Sequence, residues 1–74
     1  MHAGMNIAYT DDADVDFARG MIPHHQAAVA MAQTQLKYGK DPVLRKMSED
    51  IIKAQNTEIK QLQDWLRQHE RAQH

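Results

Sequence analysis

The chain has no cysteine, which removes disulfides, thiolate metal sites and cysteine nucleophiles together. Glycine and proline are scarce, at 3 and 2 of 74 residues, and one Trp, two Tyr and one Phe are the aromatics. Ala and Gln are the most numerous of what remains, so the composition favours helix. No charge of one sign prevails, since 9 Lys+Arg against 10 Asp+Glu leave a formal charge of −1. Such a surface carries no cationic field to hold nucleic acid or an anionic membrane. No apolar run approaches the roughly 20 residues that cross a bilayer, so no membrane insertion is expected. The segment Met1-His2-Ala3-Gly4-Met5 lacks the charged and apolar regions of a secretory signal. A glycine-rich phosphate loop and a nucleophile with an adjacent base are also missing, so the expectation is a protein that is not an enzyme.

What the chain does have is 5 Met and 5 His within a length suited to one small domain. Residues 1–10 show no periodicity and read as a flexible arm carrying Met1, His2 and Met5, followed by a helical domain over 11–74. Aspartates at 11, 12, 14 and 16 suit the positive end of a helix, which places a first helix at about 12–38. One row of that helix runs through Val15, Ala18, Ile22, His25, Val29, Ala32 and Leu36. A second row, through Phe17, Met21, His24, Ala28, Met31, Gln35 and Tyr38, lies beside it. Gly39 is placed to end the helix, Asp41 to cap the next, and Pro42 to stand at its first position. The second helix, about 42–71, carries Leu44, Met47, Ile51, Gln55, Glu58, Leu62, Trp65 and His69 in one row, flanked by Ile52, Ile59 and Leu66.

Two long helices joined by so few residues lie antiparallel. A hairpin alone has little interior and both stripes are wider than one partner covers, so the fold class expected is all-α, a hairpin dimerising into a four-helix bundle. The expected mass in solution is about 17 kDa, twice that of one chain.

Met21-Ile22-Pro23-His24-His25-Gln26 is the densest stretch chemically. Pro23 removes a helical donor and is expected to kink the helix near Gly20. His24 and His25 follow Met21 by three and four positions, so either imidazole can share a face with that thioether. Pairing positions whose numbers sum to about 80 sets His25 level with Gln55, Met21 level with Glu58 and Ile59, and Met31 near Met47. A buried imidazole or carboxylate needs a hydrogen-bond partner, another charge or a metal. Two outcomes satisfy that need: a His25–Gln55–Glu58 network that sets helix register, or a metal site. Thioether with imidazole suits copper, and Met1, His2 and Met5 in the arm suit soft Cu(I). A zinc site on His24, His25 and Glu58 is a further alternative. A carboxylate-bridged di-iron site is not expected, because Glu58 is followed three places later by Gln61 rather than His.

Asp16-Phe17, the run Met21-Ile22-Pro23-His24-His25-Gln26-Ala27-Ala28-Val29-Ala30-Met31-Ala32, Tyr38-Gly39-Lys40-Asp41-Pro42, Ile51 to Gln55, Glu58-Ile59 and Trp65-Leu66 resemble a bacterial helical family, domain of unknown function 305. The resemblance implies a ferritin-like bundle, export to the periplasm or cell surface, and in some members copper binding and copper resistance. It carries the family's histidine motif onto His24 and His25, its methionines onto Met21 and Met31, and its second-helix acid onto Glu58. A homodimer would then supply the second half of the bundle, and copper, as Cu(I) or Cu(II), would be held or passed to a metal-exchange partner. The competing reading is a structural or interaction module that binds no metal and whose His, Gln and Glu specify pairing.

Overall fold

A computed structural model describes residue 10 and residues 12–72, with side chains described through Glu70. The arm donors Met1, His2 and Met5 lie outside the described residues, as does His74. Two helices make the fold: α1 over Ala13–Tyr38 and α2 over Pro42–Ala72.

Helix α1 starts where the aspartates place it. Asp12 is the N-cap, in extended conformation, and its Oδ1 accepts from the N–H groups of Asp14 and Val15 at 3.0 and 3.2 Å. These are donors that a helix start otherwise leaves unpaired. Asp14 and Asp16 occupy the first turn, where the helix dipole favours acids. Asp16 also accepts from the Thr10 backbone N–H and hydroxyl, which ties down the approach to the helix.

Helix α1 continues through Pro23. Pro23 is exposed. Its missing donor therefore falls on the wet side of the helix, where a freed carbonyl can turn to water.

Gly39 ends α1, although not by the left-handed conformation typical of such a position: its φ is −81° and ψ 155°. Glycine is required here for space. Its N–H donates to the Gln35 carbonyl at 2.6 Å, and a Cβ would lie 2.6 Å from that same oxygen and closer still to the Gln35 amide. Asp41 Oδ2 accepts from the Leu44 N–H at 2.9 Å, capping α2 ahead of Pro42. Arg45 reaches back and donates to the carbonyls of Leu36 at 2.7 Å and Gly39 at 3.1 Å, satisfying acceptors that the end of α1 exposes.

The helices pack side by side into a body about 49 Å by 26 Å by 14 Å. The smallest dimension is close to one helix diameter, so this is a single layer, whereas a domain core ordinarily forms between two. Among the described residues the buried apolar side chains are Val15, Ala18 and Ala32, and no large side chain is fully buried. Small residues on α1 let α2 approach closely. Phe17, Met31, Tyr38, Val43, Leu44, Met47 and Trp65 remain exposed.

Candidate functional site

His25 stands at the middle of α1 and is 8% exposed. Its Nε2 lies 2.6 Å from Glu58 Oε1 on α2, a length typical of a charge-assisted hydrogen bond. The carboxylate accepts, so Nε2 is the nitrogen that carries the proton. The two ends of the contact differ in burial: the imidazole side chain is 10% exposed and the carboxylate 52%. The pair therefore runs from the seam to the surface. Ser48 forms another polar contact across the seam, its hydroxyl donating to Gln35 Oε1 at 2.8 Å. Ser48 is 5% exposed, the one polar residue besides His25 that is buried among the described residues. Two further polar atoms, His25 Nδ1 and Gln55 Oε1, are buried without a partner among the described residues. The Gln55 side chain therefore joins the buried layer without joining the His25–Glu58 bond.

Beside this pair an open groove of about 590 Å³ runs between the helices. Phe17, Met21 and His25 from α1 line it, facing Glu58, Leu62 and Trp65 from α2, with Asp14 at one end. Its wall continues to a second contact at the open end of the hairpin. There the His69 ring stacks on Trp65, centroids 4.7 Å apart, and His69 Nε2 lies 3.0 Å from Asp12 Oδ2. One carboxylate thus caps α1 and holds the end of α2. The Asp12 carboxyl sits below its ordinary value of 3.8, chiefly because the Val15 N–H donates to it, with the His69 contact acting in the same direction. Arg19 and Glu70 form a looser exposed pair nearby, at 3.6 Å.

Of the residues expected to bind metal, the fold gathers Met21, His25 and Glu58 in one groove. The others do not join them. His24 is exposed and outside the groove lining, so the zinc set of His24, His25 and Glu58 is not assembled. Met31 and Met47 are 74% and 50% exposed, surface side chains rather than donors enclosed around an ion. Among the described residues no three of His, Cys, Asp and Glu converge as a metal site. The expected His25–Gln55–Glu58 network forms in part: His25 bonds to Glu58, about one helical turn along α2 from the level position Gln55, which stays outside the bond. The row expected in the core is turned as well, leaving Leu44, Met47 and Trp65 exposed while Ser48 is buried.

Sequence reasoning missed Ser48, Arg45 and the Asp12–His69 contact. Ser48 carries a signal in its heptad spacing to Gln55, Leu62 and His69, which marks it as a seam position despite its polarity. The level rule also pairs 12 with 69.

These features define an α-helical hairpin whose seam is fixed by polar contacts and whose apolar face is left open. The chain belongs to the family described as Domain of unknown function (DUF305), which matches residues 2–73. It is also 36% identical over 59 residues to "Uncharacterized protein L153" of Acanthamoeba polyphaga mimivirus. That match covers 80% of this chain and 38% of the viral protein, so the chain spans well under half the length of its relative.

Proposed function

We propose that this chain is a helical assembly module: the hairpin pairs through its open apolar face with a second copy, giving a homodimeric ferritin-like four-helix bundle. The His25–Glu58 and Ser48–Gln35 contacts hold the two helices of each copy in register for that purpose. The observation that carries this reading is the single-layer shape together with its large exposed apolar side chains. A helix pair of this kind buries its remaining stripe only against another layer. A face about 49 Å long and 26 Å wide offers more than the roughly 800 Å² per partner of a standard stable interface. More than half of the viral relative lies outside the matched segment, room enough for a second layer within one chain.

Sedimentation tests the reading. The expected species is about 17 kDa, twice the 8.5 kDa chain. Met47→Glu, which puts a charge on the apolar face, should raise the dissociation constant at least about tenfold, the equivalent of roughly 1.4 kcal/mol. Lys53→Glu, at another exposed position, should leave it unchanged. A compact monomer at all concentrations would remove the proposal.

A second reading is favoured by the presence of Met21 in the same groove as His25 and Glu58. Sulfur, imidazole and carboxylate donors lining one groove suit copper as cargo, held or passed on in the periplasm or another exported location. In this reading Met21 and His25 supply the soft donors and Glu58 gives up its bond to the imidazole. The test is an anaerobic Cu(I) titration against a competing chelator. Met21→Ala and His25→Ala should each weaken binding at least tenfold, and equal affinity across the series would abandon the groove site. Binding should also weaken under acid conditions, because a protonated imidazole cannot ligate.

A further inference from the structure

The groove beside His25 combines two properties that the readings above leave apart. Its walls are apolar and aromatic, with Phe17 and Met21 on α1 facing Leu62 and Trp65 on α2. Two carboxylates, Asp14 and Glu58, also line it, and among the described residues no lysine or arginine does. Nor are these carboxylates neutralised from outside the groove. The described ion pairs of Arg19, Lys46, Lys60 and Arg67 go to Glu70, Asp50 and Asp64. Glu58 uses one oxygen on the His25 imidazole and keeps its side chain half exposed, while Asp14 is exposed. About 16 Å of helix rise separates Asp14 from the level of His25, so the two acids stand toward opposite ends of the groove with the apolar walls between them.

We infer that this groove is a binding site for a lipophilic organic cation, an amine or quaternary centre carried on an aromatic or branched apolar body. Charge decides the sign of the ligand. A neutral or anionic molecule of the same shape would cover a carboxylate without pairing it, which burial penalises. A cation pairs it. The faces of Phe17 and Trp65 act in the same direction, because the electron-rich face of an aromatic ring attracts a cation placed over it. The walls decide that the cation is organic. A bare metal ion would leave Phe17, Leu62 and Trp65 uncovered, and among the described residues no three of His, Cys, Asp and Glu converge around one point. Size agrees, since about 590 Å³ falls within the roughly 300–1,000 Å³ of small-molecule sites. The unbranched Met21 side chain adapts to bodies of different outline, so the groove selects a class of ligand. Every wall belongs to one hairpin, and the inference therefore stands apart from the self-association proposed above. In a four-helix bundle the groove would face the interior, where bundles hold their ligands.

Tetraphenylphosphonium and tetraphenylborate are nearly alike in size and shape and opposite in charge, so the two probes isolate the effect of sign. Equilibrium dialysis measures the probe held, and Trp65, the one tryptophan of the chain, reports occupancy of the groove through its emission. The full chain should bind the phosphonium at least about tenfold more tightly than the borate, and added salt should shrink the preference by screening the carboxylates. Asp14→Asn and Glu58→Gln should each weaken phosphonium binding several-fold and leave borate binding unchanged or tighter. Glu58 also holds His25, whereas Asp14 is exposed and its carboxylate makes no hydrogen bond among the described residues, so Asp14→Asn reads the charge without disturbing the seam. Equal affinity for the two probes would mean simple adsorption to apolar surface and would overturn the inference, as would a preference for the borate. Phosphonium binding that neither substitution weakens would place the site elsewhere and would overturn it too. A dimer that binds no phosphonium would remove this site and leave the assembly standing. A monomer that binds it at all concentrations would remove the assembly and leave the site.

Discussion

Helix α1 and helix α2 share one seam, yet α1 buries Val15, Ala18, His25 and Ala32 in it, while Ser48 is the described side chain that α2 buries. The difference follows from the residues each helix brings. Along the seam α1 presents small groups and one imidazole, a low surface that another helix can approach closely. Helix α2 brings Ile51, Ile52, Gln55, Ile59, Leu62 and Leu66, long side chains that lie over α1 and remain half-buried. One helix is the floor of the fold and the other its cover. A single cover cannot close the floor, which is why large apolar groups remain outside.

The sharpest way to break that comparison is to add volume to each helix in turn. Ala32→Leu enlarges a seam position that is 5% exposed and should destabilise the protein by about 1–3 kcal/mol, since overpacking forces side chains and backbone apart. Thr57→Leu adds a similar group to an exposed position of α2 and should stay within about 0.5 kcal/mol of the parent. Urea unfolding at one fixed protein concentration measures both, because any self-association makes apparent stability depend on concentration. Equal losses would mean that the seam is no tighter on α1 than on the far side of α2.

The polar contact at mid-seam sharpens the comparison next. Glu58→Ala should cost about 1–3 kcal/mol, because the buried His25 Nε2–H loses its acceptor and α1 has no substitute to offer. Glu58→Gln keeps a carbonyl oxygen at the same reach and should lose less than half as much. If the two variants unfold together, the carboxylate contributes through its charge and not as an acceptor for the imidazole.

Much of this architecture was legible in the residues. Asp12, Gly39, Asp41 and Pro42 each have a local physical role that does not depend on the rest of the fold, and the helix bounds fall where they indicate. The hairpin followed from the shortness of the link. Register and rotation were harder, because they are decided between helices. Residues 40–44 are all exposed, so α2 runs about a turn before it settles against α1, and of the two residues expected beside His25 it is Glu58 that bonds to it. The α2 stripe is wide enough that either of two rows could face α1. Ser48 and the small residues opposite it decide between them, and a serine carries no hydrophobic signal. The candidate site was legible in the same proportion. Met21, His25 and Glu58 line one groove, whereas Met31, Met47 and His24 lie outside it.

The smallest effect concerns the open end, where Asp12 belongs to both helices at once. Its carboxyl titrates below 3.8 in the folded chain, first through the Val15 N–H and then through His69 on α2. A carboxylate held low in the folded state stabilises the fold at pH values above its unfolded value, and that contribution is lost as pH falls through the folded value. Acid should therefore reduce stability through this group only below about pH 4. Asp12→Asn keeps a side-chain oxygen to accept from Asp14 and Val15, so the cap survives while the ionisation is gone. The variant should be slightly less stable than the parent at neutral pH, with the difference shrinking below pH 4 until the two curves meet. His69→Gln separates the two sources of the shift. It removes the ionic partner on α2 and leaves the Val15 donor on α1, so the convergence should persist with reduced amplitude. If His69→Gln abolished the convergence altogether, the clasp between the helix ends would outweigh the N-cap, reversing the order of causes given for Asp12.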